Sequence, residues 1–295
     1  MSSPVAEANE RPASGAPRDV RRSDVALASA SRLAGSMLFT RVAYLVSTLA
    51  AARLEVADVA VWAIATAAVG MAELAADGGL GSRTLRDIAV GKRLDLRART
   101  RLAVGLGAAL SLGAIALVAA TNRSAIPAAV VASLGIPAAG SRIVNSAALD
   151  ATGQSGKRAW ISAAAASGQI GAAVLLVLGG GVVPALAIAS ATQVLAAALA
   201  SSAVQSIPIE QSSAETYPWL ARTTAPFGAI LLVSAIGARG DQIILGGLAG
   251  DAPLAAYAVA SRLFEGTIGL LGAAQVPLLA LLAAREAAAK DGDGT

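Results

Sequence analysis

The sequence contains neither cysteine nor histidine. These two absences remove disulfides, thiolate nucleophiles, imidazole bases and the commonest ligands of transition metals. A metalloenzyme or a hydrolase of the Ser-His-Asp type is therefore strongly disfavoured. We expect a protein that is not an enzyme, that carries no cofactor and that has no metal site.

Charged and aromatic residues are also scarce, at 14% and 3% of the 295 residues. A soluble domain has roughly 25% charged residues. Hydrophobic residues make up 56% of the chain, and they are mostly small or aliphatic, which lets membrane helices approach closely. The composition predicts an all-α fold of the polytopic helical membrane class.

Apolar runs of about 20 residues, the length that crosses a bilayer as a helix, recur along the whole chain. They predict about eight transmembrane helices, at 32–52, 58–78, 101–120, 124–146, 159–180, 182–204, 223–249 and 254–282.

A polar segment after the sixth span divides the chain and predicts one complete bundle followed by part of a second. The expected organisation is a disordered cytoplasmic tail (1–31), a six-helix transmembrane bundle (32–204), a cytoplasmic linker (205–222), the first hairpin of a second, incomplete bundle (223–283) and a cytoplasmic tail (284–295).

The basic residues predict orientation rather than nucleic-acid binding, although the pI is about 9.9. Of 23 Lys and Arg residues, only Arg53 and Arg123 fall on the predicted outer turns, whereas many fall on the tails and inner loops. This distribution follows the positive-inside rule and predicts that both termini are cytoplasmic. The basic loop 82–101 is interpreted as a topology determinant that contacts anionic lipid headgroups, not as a substrate-docking site.

Four charged residues fall inside the last predicted hairpin, where ions are costly and often functional. Arg239 and Asp241 precede its turn by nearly the distance at which Arg262 and Glu265 follow it, so all four are expected near the bilayer midplane. Arg262 and Glu265 are spaced i,i+3 and are expected to pair. The pattern predicts a neutralised polar cluster that faces the bundle interior.

The first hairpin carries a similar, smaller arrangement. Arg41 and Glu73 are expected at matching depth and as an interhelix ion pair. The alternative for both hairpins is purely structural: buried ion pairs that fix helix register without contacting a ligand. Trp62 and Tyr257 are expected to anchor the helices at the outer interface, and Trp160 and Trp219 at the inner one.

Short motifs resemble those of polysaccharide-biosynthesis flippases, the O-antigen and teichoic-acid exporters of the multidrug/oligosaccharidyl-lipid/polysaccharide superfamily. Residues 75–81 (Ala-Ala-Asp-Gly-Gly-Leu-Gly), followed by Arg83 and Arg86, resemble the family signature that closes the second helix. Residues 241–246 and 255–260, followed by Arg262, resemble the family's seventh and eighth helices. The similarity covers about residues 32–283.

The resemblance implies a flippase of the plasma membrane that moves a polyprenyl-pyrophosphate-linked oligosaccharide between leaflets by alternating access. Arginines in a polar cavity neutralise pyrophosphate or acidic sugars, while the lipid tail stays in the bilayer. The candidate substrate contacts are Arg41, Arg239 and Arg262. The candidate charge partners or ion-coupling groups are Glu73, Asp241 and Glu265.

The length departs from the family pattern of two six-helix bundles. The sequence is consistent with a truncated gene product, with a fragment, or with a half that a second chain or a second copy completes. The expected partners are the lipid-linked oligosaccharide and membrane lipids, without nucleic acid. Two alternatives stay open. A multidrug or cation antiporter of the same superfamily would use Asp241 and Glu265, but the arginines weigh against it. A membrane-bound polysaccharide polymerase or ligase would need a sizeable outer loop, which the sequence lacks.

Overall fold

The apolar runs fold into ten α-helices over the part of the chain that the computed structural model describes. It describes the backbone of residues 17–207 and 216–292, and the side chains of residues 31–32, 34–207 and 216–272. The helices are α1 (Pro17–Ala51), α2 (Val56–Ala75), α3 (Leu80–Ala89), α4 (Leu96–Thr121), α5 (Ile126–Ser133), α6 (Ile136–Ala151), α7 (Ser155–Val177), α8 (Val182–Gln205), α9 (Tyr217–Leu248) and α10 (Asp251–Gly292), with a 3₁₀ turn at Arg123–Ala125.

Eight helical segments of the described chain are long and apolar enough to cross a membrane. The α2–α3 segment counts as one of them, as does the segment formed by the 3₁₀ turn, α5 and α6. Helices suit this environment because they satisfy backbone hydrogen bonds internally where water is absent. The predicted fold class is therefore confirmed: the protein is an all-α, multi-pass membrane protein.

Helix α1 begins at Pro17, well before the predicted span at 32, so residues 17–31 are helical rather than a disordered tail. Proline is favoured in the first turn of a helix, because its missing N–H would be unpaired there in any case. At the other end, α10 continues to Gly292 and takes in most of the segment predicted as a tail. Residues 208–215, within the predicted linker, lie outside the described residues.

Two further boundaries differ from the prediction. The basic loop 82–101 is not wholly a loop, because α3 occupies residues 80–89. The fourth predicted span is interrupted at Leu134 and Gly135, between α5 and α6. Both of these helices carry proline in their first turn (Pro127 and Pro137), where it begins a helix and cannot continue the preceding one.

The spans alternate between two ends of the molecule. The short-turn end contains the tight connections at 52–55, 122, 178–181 and 249–250, and the long-loop end contains those at 76–79, 90–95, 152–154 and 206–216. Gly179, Gly181 and Gly250 have φ near +80°, which glycine adopts without strain. The long-loop end is the one that the basic residues predict to be cytoplasmic.

The last hairpin opens towards the long-loop end. Near its turn, α2, α9 and α10 meet at Gly246, where an added Cβ would lie 2.8 Å from Ile64 Cδ1 and 3.1 Å from Leu254 Cδ2. Beyond that point α9 packs mainly on α2, α10 packs mainly on α1, and the two helices contact each other over only a short length. A space therefore lies between them.

Candidate functional site

A cavity of about 470 Å³ fills the space between the six-helix bundle and the last hairpin. Apolar side chains close it towards the short-turn end, where Ile64 and Leu254 are fully buried. It reaches Asp77 and Ser82 at the long-loop end. Its charged lining side chains are Arg41, Glu73, Asp77, Arg142, Arg239, Arg262 and Glu265.

Arg262 lies at the closed end of this cavity and is only 8% exposed. Its guanidinium stacks over the ring of Trp62 at 4.2 Å and donates a hydrogen bond to Thr66 Oγ1. Its Nε has no hydrogen-bond partner, and no carboxylate of the described residues forms an ion pair with it. A desolvated cation of this kind is costly unless an anion compensates it.

Arg239 crosses the cavity from α9 to α10 and binds Glu265 through both guanidinium nitrogens. The Nη1–Oε1 distance is 2.9 Å and the Nη2–Oε2 distance is 2.7 Å. The predicted pair between Arg262 and Glu265 is therefore wrong. A bidentate pair with the neighbouring helix is stronger than a pair within one helix, because two parallel charge-assisted bonds form at once.

Asp241 was predicted to belong to the same cluster, but the structure places it elsewhere. Its side chain is exposed and accepts a hydrogen bond from the Tyr257 hydroxyl, and it does not line the cavity. Two residues along a helix correspond to a rotation of about 200°, so Asp241 points away from Arg239. The predicted cluster thus divides into a cavity group of three charges and an outward Asp241–Tyr257 pair.

Arg41 and Glu73 line the same cavity but do not form the predicted ion pair. The Arg41 side chain instead lies over Gly269 of α10, where an added Cβ would be 2.7 Å from its Nε. Matching depth on adjacent helices does not fix the direction in which two side chains point. Here the Arg41 side chain packs against Gly269. Glu73 forms no ion pair with any described residue.

The sequence arguments missed three lining or supporting residues. Arg142 of α6 lines the cavity with its Nε unpartnered. The signal that could have found it is its position as a charge inside an apolar span. Tyr44 also lines the cavity. Trp62 was predicted as an interface anchor, but it is 3% exposed and supports Arg262, because α10 covers it.

A second charged cluster lies at the long-loop end, where Asp87 is the common ion-pair partner of three basic side chains. Asp87 of α3 accepts from Arg99 Nη2 at 2.7 Å and lies 3.4 Å from Arg83 Nε and 3.6 Å from Lys92 Nζ. Arg99 is 1% exposed and also donates to Thr84. This cluster ties α3 to α4.

The turn before α3 explains the 75–81 motif in structural terms. Asp77 accepts from the backbone N–H groups of Gly79 at 3.2 Å and Gly81 at 2.8 Å and so caps the helix. Gly78 and Gly79 both have positive φ, and Gly228 of α9 packs so closely that an added Cβ would lie 3.1 Å from the Gly78 carbonyl oxygen. The motif therefore forms the turn that ends α2, and its glycines allow α9 to pack closely against that turn.

Chemically, the cavity suits an anion that also carries hydroxyl groups. Four arginines and three carboxylates line it, and Asp77 is already engaged as a helix cap. An adjoining recess of about 90 Å³ adds Gln169, Ser190 and Gln193, and the Oε1 atom of Gln193 is buried without a partner. The net charge of the lining is positive at membrane depth, with amide and hydroxyl groups beside it.

The eight spans and this cavity define the protein as a polytopic membrane protein with a charged site inside its helical bundle. No family model, curated protein or solved structure matches the chain. The resemblance to polysaccharide flippases therefore rests on the sequence motifs.

Proposed function

We propose that the protein is a plasma-membrane flippase for a polyprenyl-pyrophosphate-linked oligosaccharide, with both termini in the cytoplasm, in the synthesis of a cell-surface polysaccharide such as O-antigen. One observation carries the proposal: Arg262 is buried in a cavity lined by three more arginines, and it forms no ion pair with any carboxylate of the described residues. We infer that the positive charge of this side chain is neutralised by an anionic group of the bound ligand.

Pyrophosphate fits the lining because guanidinium groups bind phosphate oxygens through paired charge-assisted hydrogen bonds. Arg262 and Arg142 each keep an unpartnered Nε, whereas Arg239 is held by Glu265. Arg41 stands at the edge of the cavity, between it and a second space lined by α1, α7 and α10. The proposed roles are anion binding for Arg41, Arg239 and Arg262, and charge balance or ion coupling for Glu73 and Glu265.

A cation antiporter is the second candidate, and Glu73 favours it. This carboxylate lines the cavity and has no ion-pair partner among the described residues. The excess of arginines over carboxylates opposes a cationic substrate, because like charges in a low-dielectric space repel strongly. Glu73 is therefore assigned to ion coupling within the flippase rather than to substrate binding.

A partner is proposed on the outward side of the last hairpin. Asp241 and Tyr257 are exposed at membrane depth, where acyl chains would leave the carboxylate poorly solvated. A second helical unit, from a companion chain or another copy, would cover this pair.

Because the chain lacks cysteine, an Ala238→Cys variant gives one cross-linking position on this face, with Trp160→Cys on α7 as the control. Cross-linking at the control position alone would contradict the proposal.

The transport test uses purified chain in sealed vesicles that contain a fluorescent polyprenyl-pyrophosphate disaccharide. An impermeant quencher added outside measures how much substrate changes leaflet. The wild-type chain should make the inner pool accessible, Arg262→Met should not, and Arg53→Met, an exposed arginine at the short-turn end, should behave as the wild type. Equal movement in vesicles with and without the wild-type protein would refute the proposal.

Orientation has its own test in the same cysteine-free background. Asp251→Cys lies at the short-turn end and Lys92→Cys at the long-loop end. An impermeant thiol reagent added to intact cells should label position 251 and leave position 92 unlabelled until the cells are opened. The reverse labelling pattern would overturn the orientation.

A further inference from the structure

A second cleft, of about 490 Å³, opens at the long-loop end on another side of the bundle. Helices α4 and α8 form its sides, and both pack on α6, which forms its floor. Its lining is Leu94, Leu96, Arg97, Thr100, Arg101, Asn145, Ser201, Val204, Gln205 and Ile207. The first turns of α4 and the last turn of α8 place it at the level of lipid headgroups.

Two arginines give the cleft its charge. Arg97 and Arg101 lie one helical turn apart on α4, so they share one face. Both are exposed, and no described carboxylate forms an ion pair with either. Arg99 lies between them in the sequence, points to the opposite face of the helix and forms an ion pair with Asp87. The sequence thus separates one structural arginine from two arginines that have no acidic partner among the described residues.

A row of polar side chains crosses the floor and sides of the cleft, and apolar side chains flank this row. Asn145 is 3% exposed, accepts from Thr100 Oγ1 at 3.4 Å and donates from Nδ2 to Ser201 Oγ at 3.0 Å. Leu94 and Val204 are buried beside this chain of hydrogen bonds. The polar row links α4, α6 and α8, and it gives the cleft a fixed shape.

Further into the membrane, the same two helices expose apolar side chains, including Val104 and Leu199. A ligand held here would therefore have an anionic head at the arginines and an apolar body along the bilayer. A soluble anion would use only the first of these two features. The combination is that of a phospholipid.

We propose that this cleft binds the phosphodiester headgroup of an anionic membrane phospholipid, with Arg97 and Arg101 as the phosphate contacts. The site is distinct from the central cavity, since the two share no lining residue. It is also more than the general attraction of a basic loop to an anionic leaflet, because two guanidinium groups converge on one shaped cleft.

Native mass spectrometry of the full chain, released from detergent with bound lipid, tests the proposal. The probes are phosphatidylglycerol and phosphatidylcholine with identical acyl chains. The wild type should retain phosphatidylglycerol in preference. Each arginine near an anionic headgroup contributes about a fivefold change in affinity, so Arg97→Gln with Arg101→Gln should lower retention by more than about tenfold.

The matched control removes two exposed arginines from the opposite end, by Arg53→Gln with Arg123→Gln, and should retain phosphatidylglycerol as the wild type does. Arg97→Lys with Arg101→Lys keeps the charge and should restore part of the retention lost in the glutamine variant. Equal retention of phosphatidylglycerol in the wild type and the Arg97/Arg101 glutamine variant would overturn the proposal. Displacement of the lipid by millimolar inorganic phosphate would also overturn it, because the site would then serve free phosphate.

Discussion

Two buried arginines of this protein, Arg99 and Arg262, differ in the groups that contact their guanidinium. Arg99 is 1% exposed at the long-loop end and meets the carboxylate of Asp87 and the hydroxyl of Thr84. Arg262 is 8% exposed inside the central cavity and contacts a tryptophan ring and one hydroxyl, and it pairs with no carboxylate of the described residues. Both guanidinium groups are buried, but among the described residues only Arg99 forms an ion pair with a carboxylate.

The difference separates a structural arginine, Arg99, from Arg262, which we propose binds a ligand. A buried charge that is paired and hydrogen-bonded holds elements in place, and removing its partner is destabilising. A buried charge left without an anion raises the free energy of the folded protein, so its presence at membrane depth calls for a ligand.

Asp87→Ala should destabilise the protein most. The substitution removes the carboxylate that lies 2.7 Å from Arg99 Nη2, and breaking a buried pair of this kind costs about 3–5 kcal/mol of unfolding free energy. Thermal unfolding in detergent measures the loss. Asp58→Ala, an exposed acid in the first turn of α2, is the control and should have a small effect. Adding Arg99→Met to Asp87→Ala should recover much of the stability, and no recovery would contradict the pairing account.

Arg262→Met should behave in the opposite way. Stability should be unchanged or higher, because an apolar side chain of similar length replaces an uncompensated cation. Affinity for a polyprenyl pyrophosphate should fall by roughly 10–100-fold, the value of one charge-assisted contact of about 1.5–3 kcal/mol. Unfolding scans and equilibrium binding on the same preparation separate the two effects. A large loss of stability would place Arg262 with the structural arginines.

Glu265→Gln should sharpen the contrast within the cavity. Arg239 is at present neutralised by Glu265, so the substitution turns it into a second unpaired cation. We expect pyrophosphate affinity to rise severalfold and stability to fall by about 1 kcal/mol, since the pair is partly exposed. Glu55→Gln, an exposed acid at the short-turn end, is the control. Weaker binding in Glu265→Gln would contradict a purely electrostatic role for the cavity arginines.

The smallest effect is expected at Trp219, whose stack with an arginine can be compared with the buried stack at Trp62. Trp219 is 46% exposed and lies 4.4 Å from the Arg83 guanidinium, so Trp219→Leu should cost about 0.5–1 kcal/mol. Trp62→Leu should cost more, because Trp62 is buried under Arg262 and its removal also empties core volume. Chemical denaturation of both variants gives the comparison, and equal costs would show that burial does not distinguish the two stacks.

Much of the fold could be predicted from the sequence, because the length of an apolar run is a local property. The eight spans and the tight turns near residues 55, 122, 180 and 250 were visible in this way. The short helix α3 and the break at Leu134–Gly135 were not. Both occur inside segments whose average hydropathy fits the simpler prediction, and proline position alone signalled the break.

The sequence predicted the depth of the charged residues in the membrane, but not the direction in which each side chain points. Arg41, Glu73, Arg239, Arg262 and Glu265 do line one cavity. Asp241 does not, and Glu265 pairs with Arg239 rather than with Arg262. Pairing depends on which helix α10 meets and on the rotation of each helix about its axis. Those quantities are set by packing between distant segments, as where α10 covers Trp62.

We propose that Arg262 binds an anionic lipid headgroup, and equilibrium binding measures this role. The dissociation constants to compare are those of a polyprenyl pyrophosphate and the polyprenol of the same chain length, for the wild type and for Arg262→Met. We predict that the wild type binds the pyrophosphate at least about tenfold more tightly than the alcohol, and that most of this preference disappears in the variant. An equal preference in both proteins, or none in the wild type, would contradict the account.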